Sequence, residues 1–230
     1  EITKIQLTNN PIINSKVSKE LESNLQDLRI NKPEIFGFLY DSIQSSISLN
    51  QLLTYKKLID ALCKTSGNPQ ESFSTSGHIQ RIDPPDDNKN LYSWHQETSY
   101  YRQNNSGENC FFIWIPIFNV NKSNGSICLA EESHKDGFIK TKLKKNGKLS
   151  SEQRTISDKK VKKYKVAQPK INKGDVCIMS FNTMHKSGLN LSNNFRYTAI
   201  GRYHFTGTKE FKPFRYKVKF NKLMSKNLNY

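Results

Sequence analysis

Three short stretches of this chain carry side chains that could do chemistry together: His95-Gln96-Glu97, His185 with Ser187, and Arg196. An imidazole and a carboxylate two residues apart can grip one ion, because alternate residues of an extended strand point to the same face. His185 arrives ninety residues later and supplies a second imidazole. Two histidines and one carboxylate leave coordination positions open, which is the ligand set of non-haem Fe(II) oxygenases. Arg196 follows His185 by eleven residues, far enough to lie on the next strand of a hairpin. Its rigid fork of donors suits a carboxylate. An iron site beside a carboxylate clamp reads as a 2-oxoglutarate-dependent oxygenase.

These residues need a frame, and the apolar pattern predicts one. Residues 1 to about 75 read as helical. Pro33, just after Asn31, opens a segment through Ser45, proline being tolerated in a first helical turn. Ser48 is the expected cap of a second helix that ends near Ser66-Gly67, and a weaker helix covers Lys16 to Leu28. After Gly77 the pattern turns to strands: His78–Asp83, Tyr92–Tyr101, Cys110–Phe118, Ile127–Glu131, Val161–Gln168, Val176–Phe181, Phe195–Phe205 and Pro213–Phe220. Residues 140–160 form a lysine-rich insertion without periodicity, expected to be mobile. About eight strands with helices grouped at one end predict a mainly β fold, a sandwich or barrel with a helical buttress. On the strand carrying Arg196, the residues Thr198, Ile200, Arg202 and His204 share its face by period two.

Composition narrows the alternatives. The chain has 230 residues, enough for one domain with a substantial core. No apolar run reaches the roughly 20 residues of a membrane span. Cys63, Cys110, Cys128 and Cys177 are scattered and form no CxxC pair, so they read as buried thiols of a reducing, cytoplasmic setting. The formal net charge of +16 invites a nucleic-acid reading. Thirteen lysines fall between Lys135 and Lys173, yet beyond Phe138 only Tyr164 interleaves as an aromatic platform, and stacking surfaces are what single-strand binders use. A solvated basic surface is the expectation, and nucleic acid is not the expected partner.

Taken in order, these motifs resemble the phytanoyl-CoA dioxygenase family of iron- and 2-oxoglutarate-dependent oxygenases. The resemblance rests on Trp94-His95-Gln96-Glu97 with Tyr100-Tyr101, on Trp114-Ile115-Pro116-Ile117, and on Gly125 with Ser133-His134-Lys135-Asp136-Gly137. Gly174-Asp175, His185-Lys186-Ser187-Gly188 and Arg196 complete it, over residues 78–206. It implies a double-stranded β-helix, the jelly roll shared with cupins, within a single domain spanning 1–230. In that domain 1–75 is a helical part and 76–220 the jelly-roll core with its insertion. It implies Fe(II), 2-oxoglutarate and O2 as cofactors, with His95, Glu97 and His185 as metal ligands. Arg196 matches the partner of the distal carboxylate of 2-oxoglutarate, Ser187 its hydroxyl partner, and Trp114 a wall of the same pocket. Gln80 is added as a polar residue from the preceding strand, with Arg81 the alternative if the register differs by one. The family usually has Asp where this chain has Glu97. Gly or Ala there would suggest halogenation, so the carboxylate points to hydroxylation of a small organic metabolite, and an anionic group on it would suit Arg202. The competing reading is a non-catalytic jelly-roll binding protein with a vestigial metal site.

Overall fold

The computed structural model describes residues 17–101, 107–144, 152–209 and 211. The expected strand Pro213–Phe220 lies outside the described residues, as does the middle of the lysine-rich insertion. Four helices come first: α1 (Lys19–Asn31), α2 (Pro33–Gln44), α3 (Ile47–Leu53) and α4 (Lys56–Ser66). Ser18 caps α1 by accepting from the Leu21 amide at 3.0 Å. Gly67 closes α4 in the left-handed region at φ 71°. The single helix expected from Ser48 is two, capped by Ser46 and broken at Thr54-Tyr55.

The strands are β1 (Phe73–Thr75), β2 (Ile79–Asp83), β3 (Phe111–Pro116), β4 (Cys128–Ala130), β5 (Lys142–Lys144), β6 (Gln153–Thr155), β7 (Val166–Ala167), β8 (Cys177–Ser180), β9 (His185–Lys186) and β10 (Arg196–Phe205). A one-turn helix, α5 (Asp158–Val161), lies between β6 and β7. The main sheet is antiparallel and built around β10, which pairs β3 along one edge. Its other edge pairs β2 over residues 196–200 and β1 over residues 203–205, and β8 adds to the far side of β3. A smaller antiparallel sheet of β7, β4 and β9 faces it. This is a mainly β, jelly-roll core with a helical buttress.

Period-two alternation on β3 and β10 sorts the two layers. Ile113 and Ile115, with Tyr197, Ala199 and Tyr203, pack outward against Leu49, Leu52, Leu53, Leu58 and Leu62 of the helices. Phe112, Trp114 and Ile200 point inward, where they meet Ile127 and Leu129 from the smaller sheet's side. The helices therefore cover one face of the main sheet, and the other face is left for a cavity between the sheets. All four cysteines are free thiols, three of them buried. Among the described residues, no helix is long and apolar enough to cross a membrane.

Two expectations need correction here. Tyr92–Tyr101 is not a strand: His95 makes an isolated antiparallel bridge to His185, and Glu97 opens a single 3-10 turn, Glu97–Ser99. The flanks of the insertion are also more ordered than their composition suggests. In the β5–β6 pair, Lys142, Leu143 and Lys144 of β5 are all exposed, yet Gln153 of β6 is buried. Residues 153–156 are strapped to the metal motif. Gln153 accepts from the Ser93 amide at 3.0 Å and donates to the Leu91 carbonyl at 2.7 Å. The Ile156 amide donates to the Trp94 carbonyl at 2.7 Å.

Candidate active site

His95 and His185 sit directly opposite each other, joined by two reciprocal backbone bonds of 3.0 Å. Side chains of such a pair project from the same face, and the two imidazole centroids lie 4.2 Å apart. Glu97 reaches the same point from the following turn. Its Oε1 is 3.8 Å from His95 Nε2 and 3.4 Å from His185 Nε2. One ligand atom from each of the three residues falls within 4.8 Å of the others, and all three residues are buried.

The surroundings fix which atoms face inward. Each Nδ1 lies against a carbonyl, His95 against Ser93 O at 2.7 Å and His185 against Thr183 O at 2.9 Å. A carbonyl only accepts, so each Nδ1 carries the proton and each Nε2 presents a lone pair. His185 Nε2 is buried with no hydrogen-bond partner. Burial and the neighbouring His185 push the His95 pKa down, so the ring is neutral, as a metal ligand must be. For Glu97, burial alone would raise the pKa. Arg202 and the two imidazoles outweigh it and hold the carboxyl well below its usual range. Three buried lone-pair donors around a space lined by no donor of their own are what a cation requires, and metal bonds of about 2.0–2.2 Å bring such ligand atoms to separations near those seen.

Arg202 is the residue that sequence reasoning placed on the right face without its role. Its Nε donates to Glu97 Oε2 at 2.7 Å, leaving Oε1 to face the imidazoles. Nη1 donates to the Gly77 carbonyl, and the guanidinium lies 5.3 Å from the Tyr101 ring centre and 5.5 Å from that of Phe112. Gln96, between the two ligands, is fully buried and wholly satisfied. It donates to the Asn182 and Gly137 carbonyls at 2.6 and 2.8 Å and accepts from Ile139 N at 2.8 Å. No sequence signal marked Gln96 as the tie between the metal turn and two loops.

The triad opens onto a cavity of about 590 Å³. Trp114, Ser187 and Arg196 line it. Ser187 Oγ accepts from the Tyr92 amide at 3.0 Å. Arg196 is buried and already has a carboxylate: Nε and Nη2 bond Asp83 Oδ2 at 3.3 and 2.9 Å. Its Nη1 donates to the carbonyls of Gly125 and of Gly188, the latter at 2.9 Å. Four of its five N–H groups are thereby used, and one on Nη2 remains. Gly125, at φ 82°, is required here, since a Cβ would fall on Arg196 Nη1.

Gln80 does not line the cavity. Ile79, Arg81, Ile82 and Asp83 do, and of strand β2 only Gln80 is missing from the lining. Its backbone is gripped by Gln44 of α2, which accepts from Gln80 N at 2.7 Å and donates to Gln80 O at 3.0 Å. Arg81, the alternative, is the cavity residue. The helical region also contributes Arg29, Phe36, Tyr40 and Gln44 to the walls.

A buried two-histidine, one-carboxylate centre inside a jelly roll defines a non-haem metal protein of the cupin type. The family model for phytanoyl-CoA dioxygenase (PhyH) matches residues 17–198. The chain belongs to that family of iron- and 2-oxoglutarate-dependent oxygenases. Comparison with curated protein sequences finds no match. Several solved structures share the fold. The apo form of ThoJ, a non-heme monooxygenase, aligns with a TM-score of 0.61 at 14% identity, over 89% of this chain and 73% of that one. The epimerase SnoN in complex with Fe3+, alpha ketoglutarate and nogalamycin RO aligns at 0.60 and 10% identity, over 93% and 85%. EvdO2 from Micromonospora carbonacea var. aurantiaca, complexed with 2-oxoglutarate, aligns at 0.53 and 14% identity, over 79% and 69%.

Proposed function

We propose that this protein is an Fe(II)- and 2-oxoglutarate-dependent hydroxylase of a small organic metabolite, releasing succinate and CO2. The observation that carries the reading is the convergence of His95 Nε2, His185 Nε2 and Glu97 Oε1 at the floor of the cavity. His95, Glu97 and His185 would hold the iron, and Arg196, Ser187 and Trp114 the cosubstrate. When bound, iron with 2-oxoglutarate and O2 supplies the oxidising power needed to insert oxygen into an unactivated C–H bond.

The chain's own residues supply position and exclusion. The carbonyls of Ser93 and Thr183 keep both imidazoles in the ligating tautomer. Arg202 keeps Glu97 ionised and its free oxygen aimed inward. Trp114, Phe112, Ile127 and Ile200 give the cavity apolar walls that limit water beside the reacting carbon. Arg196 would accept the distal carboxylate through its remaining Nη2 hydrogen, with Asp83 holding the guanidinium in place.

Purified protein given Fe(II), ascorbate and 2-oxoglutarate is expected to release succinate even without its true substrate, and His185→Ala is expected to abolish that release. A metabolite screen by mass spectrometry should then find a product heavier by one oxygen. A product of unchanged mass would favour isomerisation over hydroxylation. Absence of succinate together with absence of metal binding would favour a non-catalytic binding protein.

A further inference from the structure

Arg81 is the cavity residue that the proposed reaction leaves without a task. Its Nε lies 3.1 and 3.2 Å from the two oxygens of Asp83, and Nη2 bonds Asp83 and the Asn90 carbonyl, the latter at 2.8 Å. Nη1 makes no hydrogen bond among the described residues, so two N–H donors of a guanidinium on the cavity wall are unspent. The side chain is 15% exposed, all that an opening onto a cavity allows.

Charge points the same way. Asp83 is shared between Arg81 and Arg196, so two guanidiniums have one carboxylate and the cluster keeps one positive charge. Arg29 is paired with Asp87, whereas Arg81, Lys186, Arg196 and Arg202 on the cavity wall face only Asp83 and Glu97. A buried cation without a full counter-charge is costly unless something anionic arrives. Distance sets where that group would sit. The Tyr92 ring centre is 5.6 Å from the Arg81 guanidinium carbon and 5.5 Å from the His95 ring centre. The guanidinium carbon and the His95 ring are therefore no farther apart than those two distances end to end, a span that a small molecule can bridge. The 590 Å³ cavity has room for such a molecule beside 2-oxoglutarate.

We propose that Arg81, through Nη1, binds a carboxylate on the molecule to be oxidised, a group separate from the carboxylates of 2-oxoglutarate. The substrate is then a small organic acid whose reacting carbon lies a few bonds from its charge. This inference rests on the oxygenase reading above, and its test is separable from it.

The probes are 3-phenylpropanoate, its primary amide and phenyl phosphate, titrated onto the protein loaded with Co(II) and 2-oxoglutarate and onto the metal-free protein. Wild type is expected to bind the acid at least about tenfold tighter than the amide, since a charged hydrogen bond is lost in the amide. R81Q is expected to bring acid and amide within about twofold of each other, and R81K to retain part of the gap. No preference in wild type, or a full preference surviving in R81Q, overturns the proposal. So does tighter binding of phenyl phosphate than of the acid. So does an R81Q protein that loses 2-oxoglutarate as strongly as R196Q, because Arg81 would then serve the cosubstrate. Thermal melts establish that both variants fold, and the wild-type comparison of acid with amide needs no substitution. An acid preference on the metal-free protein without any succinate release would uphold the anion subsite and remove the oxygenase reading instead.

Discussion

Glu97 is one methylene longer than the aspartate its family usually has at that position, and Arg202 accounts for how the extra length is used. The longer side chain lets one oxygen bond Arg202 while the other faces the imidazoles. E97D should therefore lose one of the two contacts, although aspartate is the commoner ligand. Metal affinity is expected to fall roughly 10–100-fold in E97D and in R202M alike, the range for lost supporting contacts. R202K, which keeps the charge but loses the stacked plane, should fall between. Titration with Co(II), read by its absorption, measures this without turnover, and an E97D protein as tight as wild type would refute the account. The inward face of β10 was legible in sequence because strand alternation is rigid, whereas His95, Glu97 and His185 were legible as a set of residue types and converge although His95 and Glu97 share no strand. Arg202's task was not, because it depends on Glu97 leaving the strand for a 3-10 turn. Gln80 was misplaced for the complementary reason: a one-residue ambiguity in register moves a side chain to the other face.

At the scale of elements, the helices and the cavity are coupled through β10. Its outward residues bury Leu52 and Leu53, and its inward ones line the site. Leu52→Ala, at a fully buried position, is expected to cost about 2–5 kcal/mol of stability. It should do so with metal affinity unchanged, as urea melts and Co(II) titration would report. Gly125→Ala is expected to do the reverse of this in kind. A Cβ there strikes Arg196 and requires a left-handed backbone, so 2-oxoglutarate binding should weaken by tenfold or more, an effect of about 1.4 kcal/mol or above. Calorimetric titration with 2-oxoglutarate decides it. Long amphipathic elements announced themselves through spacing, as α1, α2 and β10 did. The β5–β6 hairpin did not, since what orders residues 153–156 is hydrogen bonding to the backbone of Leu91, Ser93 and Trp94.

For the whole molecule, the buried His204 and the half-buried His78, neither of them in the candidate metal triad, set the acid limit. Burial and the charge of Arg202 hold His204 and His78 down to about 4, against an ordinary value near 6.5. His204 is packed against Ser76, Tyr101 and Phe181. Their folded-state pKa values are depressed, so between pH 6.5 and 4 the unfolded chain binds more protons than the native one. Stability is thus expected to decline progressively from pH 6.5 to 4, measured by melting temperature on metal-free protein, and His204→Gln should flatten that decline. The surface tells a different story. A net charge of +16 should give weak binding to any polyanion, such as heparin or duplex DNA, that falls steeply with salt. His185→Ala should leave that binding unchanged, because no part of it uses the metal centre.

The amide-to-carbonyl pair between His95 and His185 joins segments ninety residues apart through the backbone alone. Closing so long a loop is the entropic step that many small metalloproteins leave to their metal. Here a backbone bridge that uses no side-chain ligand atom holds the two segments together. Treatment with a chelator should accordingly yield an empty protein that still melts in one cooperative step, at a temperature lowered only as ligand mass action dictates. Such a protein can be emptied and reloaded with a different divalent ion without passing through an unfolded state.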